Sequence, residues 1–176
     1  MSVDLDYAGD VTITYPQAEA GDTWTVDAGP DGTLTDERGR QYPYLFWEGA
    51  SSREYSQDEG FVVAGSEAVP FLEEKLAVLG LTDREAAEFV TYWAPRLADN
   101  EYNLVTFATE QYSTDARYTF TDASGRQFRP DTFIRLYMVH SPAEASTKVS
   151  EQVLEPAPQR EGFVAVEWGG TTQEAR

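Results

Sequence analysis

The chain has no cysteine, one histidine, two lysines and no long apolar run among its 176 residues. Without thiols, thiol catalysis, disulfides, iron–sulfur clusters and cysteine-ligated zinc are excluded. With His140 alone, a site of two or three histidine ligands cannot form within one chain, and a Ser-His-Asp triad would have to use it. His140 follows a strong strand signal and precedes Ser141-Pro142, which reads as a surface or capping histidine; nothing like G-x-S-x-G is present. The phosphate-cradling patterns G-x-G-x-x-G and G-x-x-x-x-G-K are missing as well. Lys75 and Lys148 stand against eleven arginines, so lysine chemistry has few places to occur. An intramolecular isopeptide bond would have to join Lys148 to Asn100 or Asn103, and only the residue types speak for it. No stretch approaches the ~20 apolar residues that span a bilayer. The start, Met1-Ser2-Val3-Asp4-Leu5-Asp6, lacks the basic opening and apolar run of a signal peptide. The expectation is therefore either a cytoplasmic protein or an exported one whose signal has been removed.

Positive charge is the other scarcity. The net charge is −18, from 31 acidic and 13 basic side chains. Residues 1–60 hold 13 acidic and 3 basic groups, more than half of the excess. A field of this sign repels phosphate backbones and anionic lipid, and favours cations and basic partners. Nucleic acid is excluded as a partner for a basic surface, because there is no basic stripe to carry it. Solubility alone accounts for much of such a charge; an acidic docking surface is the sharper reading.

What is abundant is aromatic: ten Tyr, nine Phe and four Trp. Aromatic rings suit pleated, half-buried surfaces and point to a sheet-rich core. Strand patterns fall at Val11–Tyr15, Thr23–Asp27, Thr33–Thr35, Gln41–Glu48, Phe61–Ala64, Asn103–Ala108, Arg117–Thr121, Thr132–His140 and Gly162–Trp168, with a short one within Lys148–Leu154. Pro43 cannot donate to a ladder and places the start of the Gln41–Glu48 strand at an edge or bulge. Between these segments lie two helices. The first runs from Glu67 to Leu79, with Phe71, Leu72, Leu76 and Leu79 on its apolar stripe, and Gly80 stops it. Thr82-Asp83-Arg84-Glu85 is a capping box that opens the second, which buries Ala86, Phe89, Val90 and Trp93 and ends or kinks near Ala94, before Pro95. The turn between them is short enough to force an αα-hairpin. The predicted fold is α+β: one domain over residues 1–176, mostly antiparallel and sandwich-like, with a helical hairpin at about 66–98 packed on one face between two β-rich segments.

One segment echoes another. Thr35-Asp36-Glu37-Arg38-Gly39-Arg40-Gln41-Tyr42 and Thr121-Asp122-Ala123-Ser124-Gly125-Arg126-Gln127-Phe128 share Thr, Asp, Gly, Arg and Gln at matching places and close on an aromatic ring. The D-x-x-G spacing predicts a type I turn with glycine at positive φ in both. Convergence on common turn chemistry and an old duplication both account for it.

Three groups are candidates for function. Trp47-Glu48-Gly49 and Glu167-Trp168-Gly169-Gly170 each set a carboxylate beside an indole, and glycosidases use two carboxylates flanked by aromatic platforms. Glu48 and Glu167 are thus the catalytic candidates; Tyr42, Tyr44, Trp47 and Trp168 are the ligand-binding candidates. The plainer reading places both Trp in the core and the glycines in a turn after a strand. Asp27, Asp31, Asp36 and Glu37 surround a glycine-rich loop, where Ca²⁺ is the possible cation, although the EF-hand pattern is not matched. Otherwise no cofactor is expected.

The blocks Tyr42-Pro43-Tyr44-Leu45-Phe46-Trp47-Glu48-Gly49, Phe71-Leu72-Glu73-Glu74-Lys75-Leu76, Glu88-Phe89-Val90, Tyr92-Trp93-Ala94-Pro95 and Glu167-Trp168-Gly169-Gly170, taken together, resemble a family of uncharacterised bacterial proteins that are often exported. The resemblance covers roughly residues 30–170; it implies an extracytoplasmic or cell-surface setting and assigns no catalytic residue. The sequence is read as a non-catalytic binding module for a protein or glycan. The alternatives are a carbohydrate-active hydrolase using the Glu48–Glu167 pair and a cytoplasmic acidic decoy that mimics nucleic acid.

Overall fold

Local chemistry fixes several elements before any packing is considered. In the computed structural model, which describes residues 1–174, the Thr82 side chain accepts from the Glu85 backbone N–H while the Glu85 carboxylate accepts from the Thr82 N–H at 2.8 Å. This reciprocal cap satisfies two orphan donors of the helix start. Both D-x-x-G turns form as their spacing requires. Gly39 sits at φ +76° and Gly125 at φ +82°, where a Cβ would be strained. Asp36 Oδ1 accepts from the N–H groups of Arg38 and Arg40, each at 2.9 Å, and Asp122 Oδ1 accepts from Ser124 and Arg126 at 2.9 and 3.0 Å. The sequence echo is therefore an echo of hydrogen bonds. The Ser124 and Arg126 bonds hold the Asp122 carboxyl at about 2, well below its ordinary value.

The strands are, in chain order, β1 (Ser2–Tyr7), β2 (Asp10–Tyr15), β3 (Thr23–Thr25), β4 (Asp27–Ala28), β5 (Leu34–Thr35), β6 (Gln41–Tyr42), β7 (Phe46–Ala50), β8 (Glu59–Ala64), β9 (Tyr102–Phe107), β10 (Ala116–Thr121), β11 (Gln127–Phe128), β12 (Thr132–Ala143), β13 (Ser150–Glu151) and β14 (Val164–Thr172). The helices are α1 (Ala68–Val78), α2 (Asp83–Ala98) and the single turn α3 (Thr109–Tyr112). The fold is mixed α+β with mostly antiparallel sheets, and the helix pair packs on a sheet as the pattern predicts.

The chain divides into two compact units, each built from two stretches of sequence. The first unit comprises residues 1–53 and 113–130 and is all β among its described elements. Its four-stranded sheet has the order β11-β10-β1-β3; β2 pairs with β7, and β4, β5 and β6 form a small meander. Val3, Leu5, Trp24, Val26, Ala116 and Phe120 are buried there, and Trp24 Nε1 donates to the Pro16 carbonyl at 2.8 Å. The predicted Gln41–Glu48 strand is broken: Gln41 and Tyr42 pair with β5, whereas Phe46–Ala50 pairs with β2. Pro43, which lacks the donor and fixes its own φ, falls in the break.

The second unit comprises residues 54–112 and 131–176. Its five-stranded sheet has the order β13-β8-β9-β12-β14, antiparallel from β8 to β12 and parallel at both outer pairs. One face carries Val63, Val105, Ile134, Leu136 and Met138, which meet Leu72 and Leu76 of α1 and Phe89, Trp93 and Leu97 of α2 in one core cluster. Helix α2 does not end at Ala94 but runs through Pro95 to Ala98. The carbonyl of Thr91 is the one that Pro95 cannot satisfy, and Thr91 lies on the exposed side of the helix. Gly169 and Gly170, expected in a turn, lie inside β14. A Cβ on Gly170 would come within 2.8 Å of the Trp93 ring, so glycine there lets strand and indole approach. His140, expected at the surface, is 1% exposed inside β12 because that strand continues three residues past it.

Candidate functional site

The parallel register of β12 and β14 puts Arg135 beside Glu167. Their neighbours Ile134, Leu136, Val166 and Trp168 all pack toward the helices, so alternation turns Arg135, Tyr137 and Glu167 to the opposite face. There Arg135 Nε lies 2.5 Å from Glu167 Oε2, with the two side chains 15% and 12% exposed. Glu167 Oε1 accepts from the Tyr112 hydroxyl at 2.7 Å. The Tyr112 and Tyr137 rings stack at 3.9 Å and 7°, Tyr55 packs on Tyr137 at 5.2 Å, and the Arg135 guanidinium lies 5.3 Å from the Tyr112 ring centre. Both oxygens of Glu167 are thus hydrogen-bonded. The carboxylate acts as an anchor that orients a guanidinium and a phenol among stacked rings.

The remaining sequence candidates are divided between the units. Glu48, Tyr42, Tyr44 and Trp47 belong to the first; Glu167 and Trp168 belong to the second. Glu48 is exposed on β7, opposite Ile13. Trp47 packs on Tyr7 at 4.8 Å and donates from Nε1 to the Tyr118 hydroxyl at 2.9 Å. Tyr42 is buried, with its hydroxyl bonded to Asp36 Oδ2 at 3.1 Å and Tyr15 edge-on to its ring; Tyr44 is exposed. Trp168 packs edge-on against Phe89 of α2 at 5.3 Å. Trp47, Tyr42 and Trp168 each meet another ring of their own unit.

Among the described residues, no group of three or more His, Asp and Glu side chains is arranged to hold a metal ion. In the acidic loop, Asp31 accepts from the Thr33 N–H and hydroxyl, and Asp36 closes its own turn and bonds Arg40, so these carboxylates already have donors. Asn100 and Asn103 bond each other at 2.8 Å, while Lys148 is exposed on the β12–β13 connection.

Two features were not legible in the sequence. One is a buried polar pair. His140 Nε2 bonds the Thr172 hydroxyl at 2.8 Å, but its Nδ1 and the Trp93 Nε1 have no hydrogen-bond partner, and the two rings meet edge-on at 5.8 Å. Burial, helped by the charge of Arg96, pushes the imidazole below its ordinary pKa. The other is a groove of about 730 Å³ in the second unit, lined by Gly60–Ala64 of β8, the first turns of α1 and part of the segment 147–151. Phe61 and Phe71 meet edge-to-face on its wall at 5.4 Å, and the Lys75 ammonium lies 4.8 Å from the Phe61 ring centre and 2.9 Å from Glu74. Both lysines of the chain line it, together with Glu67, Glu74 and Glu151. The groove depends on pairing between residues more than 80 positions apart.

No protein-family profile matches the chain, and no solved structure matches it. A stretch of 49 residues is 49% identical to a Butyrivibrio fibrisolvens protein described as an uncharacterized protein in the bglA 3′ region. The match covers 28% of this chain and spans half the length of that relative.

Proposed function

We propose that this chain is a non-catalytic binding module that works outside the cytoplasm and takes a protein ligand. The observation that carries the reading is the groove beside β8: a strand edge, an aromatic wall and charged side chains of both signs open to one space. Concave sites with an apolar wall and a few polar groups are where ligands bind. The resemblance to often-exported bacterial proteins supports the setting, and the net charge of −18 supports a partner other than nucleic acid. The bacterial relative carries no activity in its description and adds none.

A hydrolase is the second reading. Its specific support is Glu167, a carboxylate held between a guanidinium and a phenol beside stacked tyrosines. Array binding with peptides and glycans, run beside hydrolysis of chromogenic glycosides, separates the two. Saturable binding without turnover is expected, unchanged in Glu48→Gln. Turnover that disappears in Glu48→Gln or Glu167→Gln would replace the module by an enzyme. Fractionation of the source cells tests the setting, and recovery of the protein in the cytosol would reject it.

A further inference from the structure

We infer that the groove is a strand-addition site for an extended, basic polypeptide segment; this rests on the reading of the chain as a binding module. The geometry begins at β8. The Glu59 carbonyl accepts from Thr106 Oγ1 of β9, and the Gly65 N–H reaches the Glu101 carbonyl, so odd-numbered residues direct their main-chain groups toward β9. The Gly60 carbonyl points the other way and accepts from the Gln152 N–H. Alternation therefore turns the N–H and C=O of Val62 and the N–H of Ala64 into the groove. Among the described residues, strand pairing on that side stops at Gly60, and residues 147–149 line the groove without joining the ladder. An incoming strand finds a ready row of donors and acceptors there.

Size agrees. A strand residue fills roughly 160 Å³ of a packed sheet, from its rise, strand spacing and sheet spacing. The groove, at about 730 Å³, has room for a short strand, and the open stretch of β8 is Phe61–Ala64. Alternate side chains of the guest would face Phe61, Phe71 and α1.

Charge selects the guest. The second unit holds 19 acidic and 7 basic side chains, or −12 of the total −18. In the groove, Lys75 is paired to Glu74, which leaves exposed Glu67 and Glu151 against Lys148. Local balance and overall field both favour basic side chains and speed their encounter. A second copy of the chain would bring the same negative field to the same edge.

The test uses capped peptides of four Thr-Lys, Thr-Gln or Thr-Glu repeats, titrated into the intact chain by calorimetry. The Thr-Lys peptide should bind at least tenfold tighter than the Thr-Glu peptide, weaken with added salt, and lose binding when its backbone is N-methylated. Val62→Pro removes the outward N–H without touching the β9 ladder and should cost tenfold or more. Glu67→Gln with Glu151→Gln should narrow the preference for Thr-Lys severalfold while the fold is kept. Equal binding of the three peptides, no binding at millimolar concentration, or self-association lost in Val62→Pro would each overturn the inference. If these peptides fail while an array ligand binds without turnover, the groove assignment falls and the module reading stands.

Discussion

The two units solve the stability problem differently. The first has small sheets tied at their corners by side-chain-to-backbone bonds, as at Asp36 and Asp122, and by Trp24 on the Pro16 carbonyl. The second buries an unbroken cluster in which Leu72, Leu76, Phe89, Leu97, Val105, Leu136 and Met138 are fully out of water. Turn bonds each contribute about 1 kcal/mol, whereas a buried side chain contributes about 1.5–3 kcal/mol. The contrast teaches where each unit is vulnerable: the first at single polar atoms, the second at single cavities.

The largest test falls on the second unit. Trp93→Ala removes a ring packed on Phe89, Tyr92, His140 and Gly170, and should cost ~3–5 kcal/mol. Denaturant titration gives the size, and hydrogen exchange should show the loss in β9, β12 and α2. A loss under about 1 kcal/mol would mean that the cluster is not a shared core. Next comes Arg135→Met, which takes the guanidinium away from the Glu167 carboxylate. A broken buried pair costs about 3–5 kcal/mol, and the partial exposure here lowers the expectation to about 2–3 kcal/mol. Glu167→Gln combined with Arg135→Met should recover part of this, which a double-mutant cycle measures.

In the first unit, Gly125→Ala forces a Cβ to φ +82° and should cost ~1 kcal/mol, with Gly39→Ala similar. No loss at either position would detach the turn glycines from stability. Acid should separate the units without any mutation. The folded-state pKa of His140 lies below its ordinary 6.5, so the unfolded chain binds the proton first. Its contribution is present above that value and is lost as pH falls below it. Asp122 is lowered from 3.8 to about 2, so its contribution is present above 3.8 and is lost between there and about 2. Urea titrations across pH should show the first window vanish in His140→Phe and the second shrink in Asp122→Asn. Identical pH profiles in these variants would remove both groups from the acid response.

How much of this the sequence carries depends on range. Thr82–Glu85, Asp36–Gly39 and Asp122–Gly125 are legible because cap and turn chemistry are decided within four residues. The strand at Thr132–His140 and the apolar stripe of α1 are legible because their periods stand out. Beyond that reach the reading fails for identifiable reasons. Pro43 splits a strand that looks continuous, since a missing N–H matters only once neighbours are known. Ser2–Tyr7 gave no strand signal, yet it pairs with residues more than 100 positions away. His140 looked terminal because Ser141-Pro142 suggested an end that β12 ignores. For the site, the aromatic and acidic residues that drew attention are shared out between the units, and the groove arises from an edge left open where β13 covers only two residues of β8.

The interleaving of the units sets an order of birth on the ribosome. The helical hairpin emerges early, yet the sheet beneath it lacks β12 until residue 143 and β14 until residue 172. The all-β unit, although its second stretch is held back until after the hairpin, has every strand once Phe128 has left the exit tunnel. At that moment Leu72, Leu76, Phe89 and Trp93 are still without their β12 partners. The nascent chain therefore carries an uncovered apolar helix face for the time it takes to make roughly forty more residues, a few seconds at the usual rate of synthesis. That interval is when a chaperone has the most to hold.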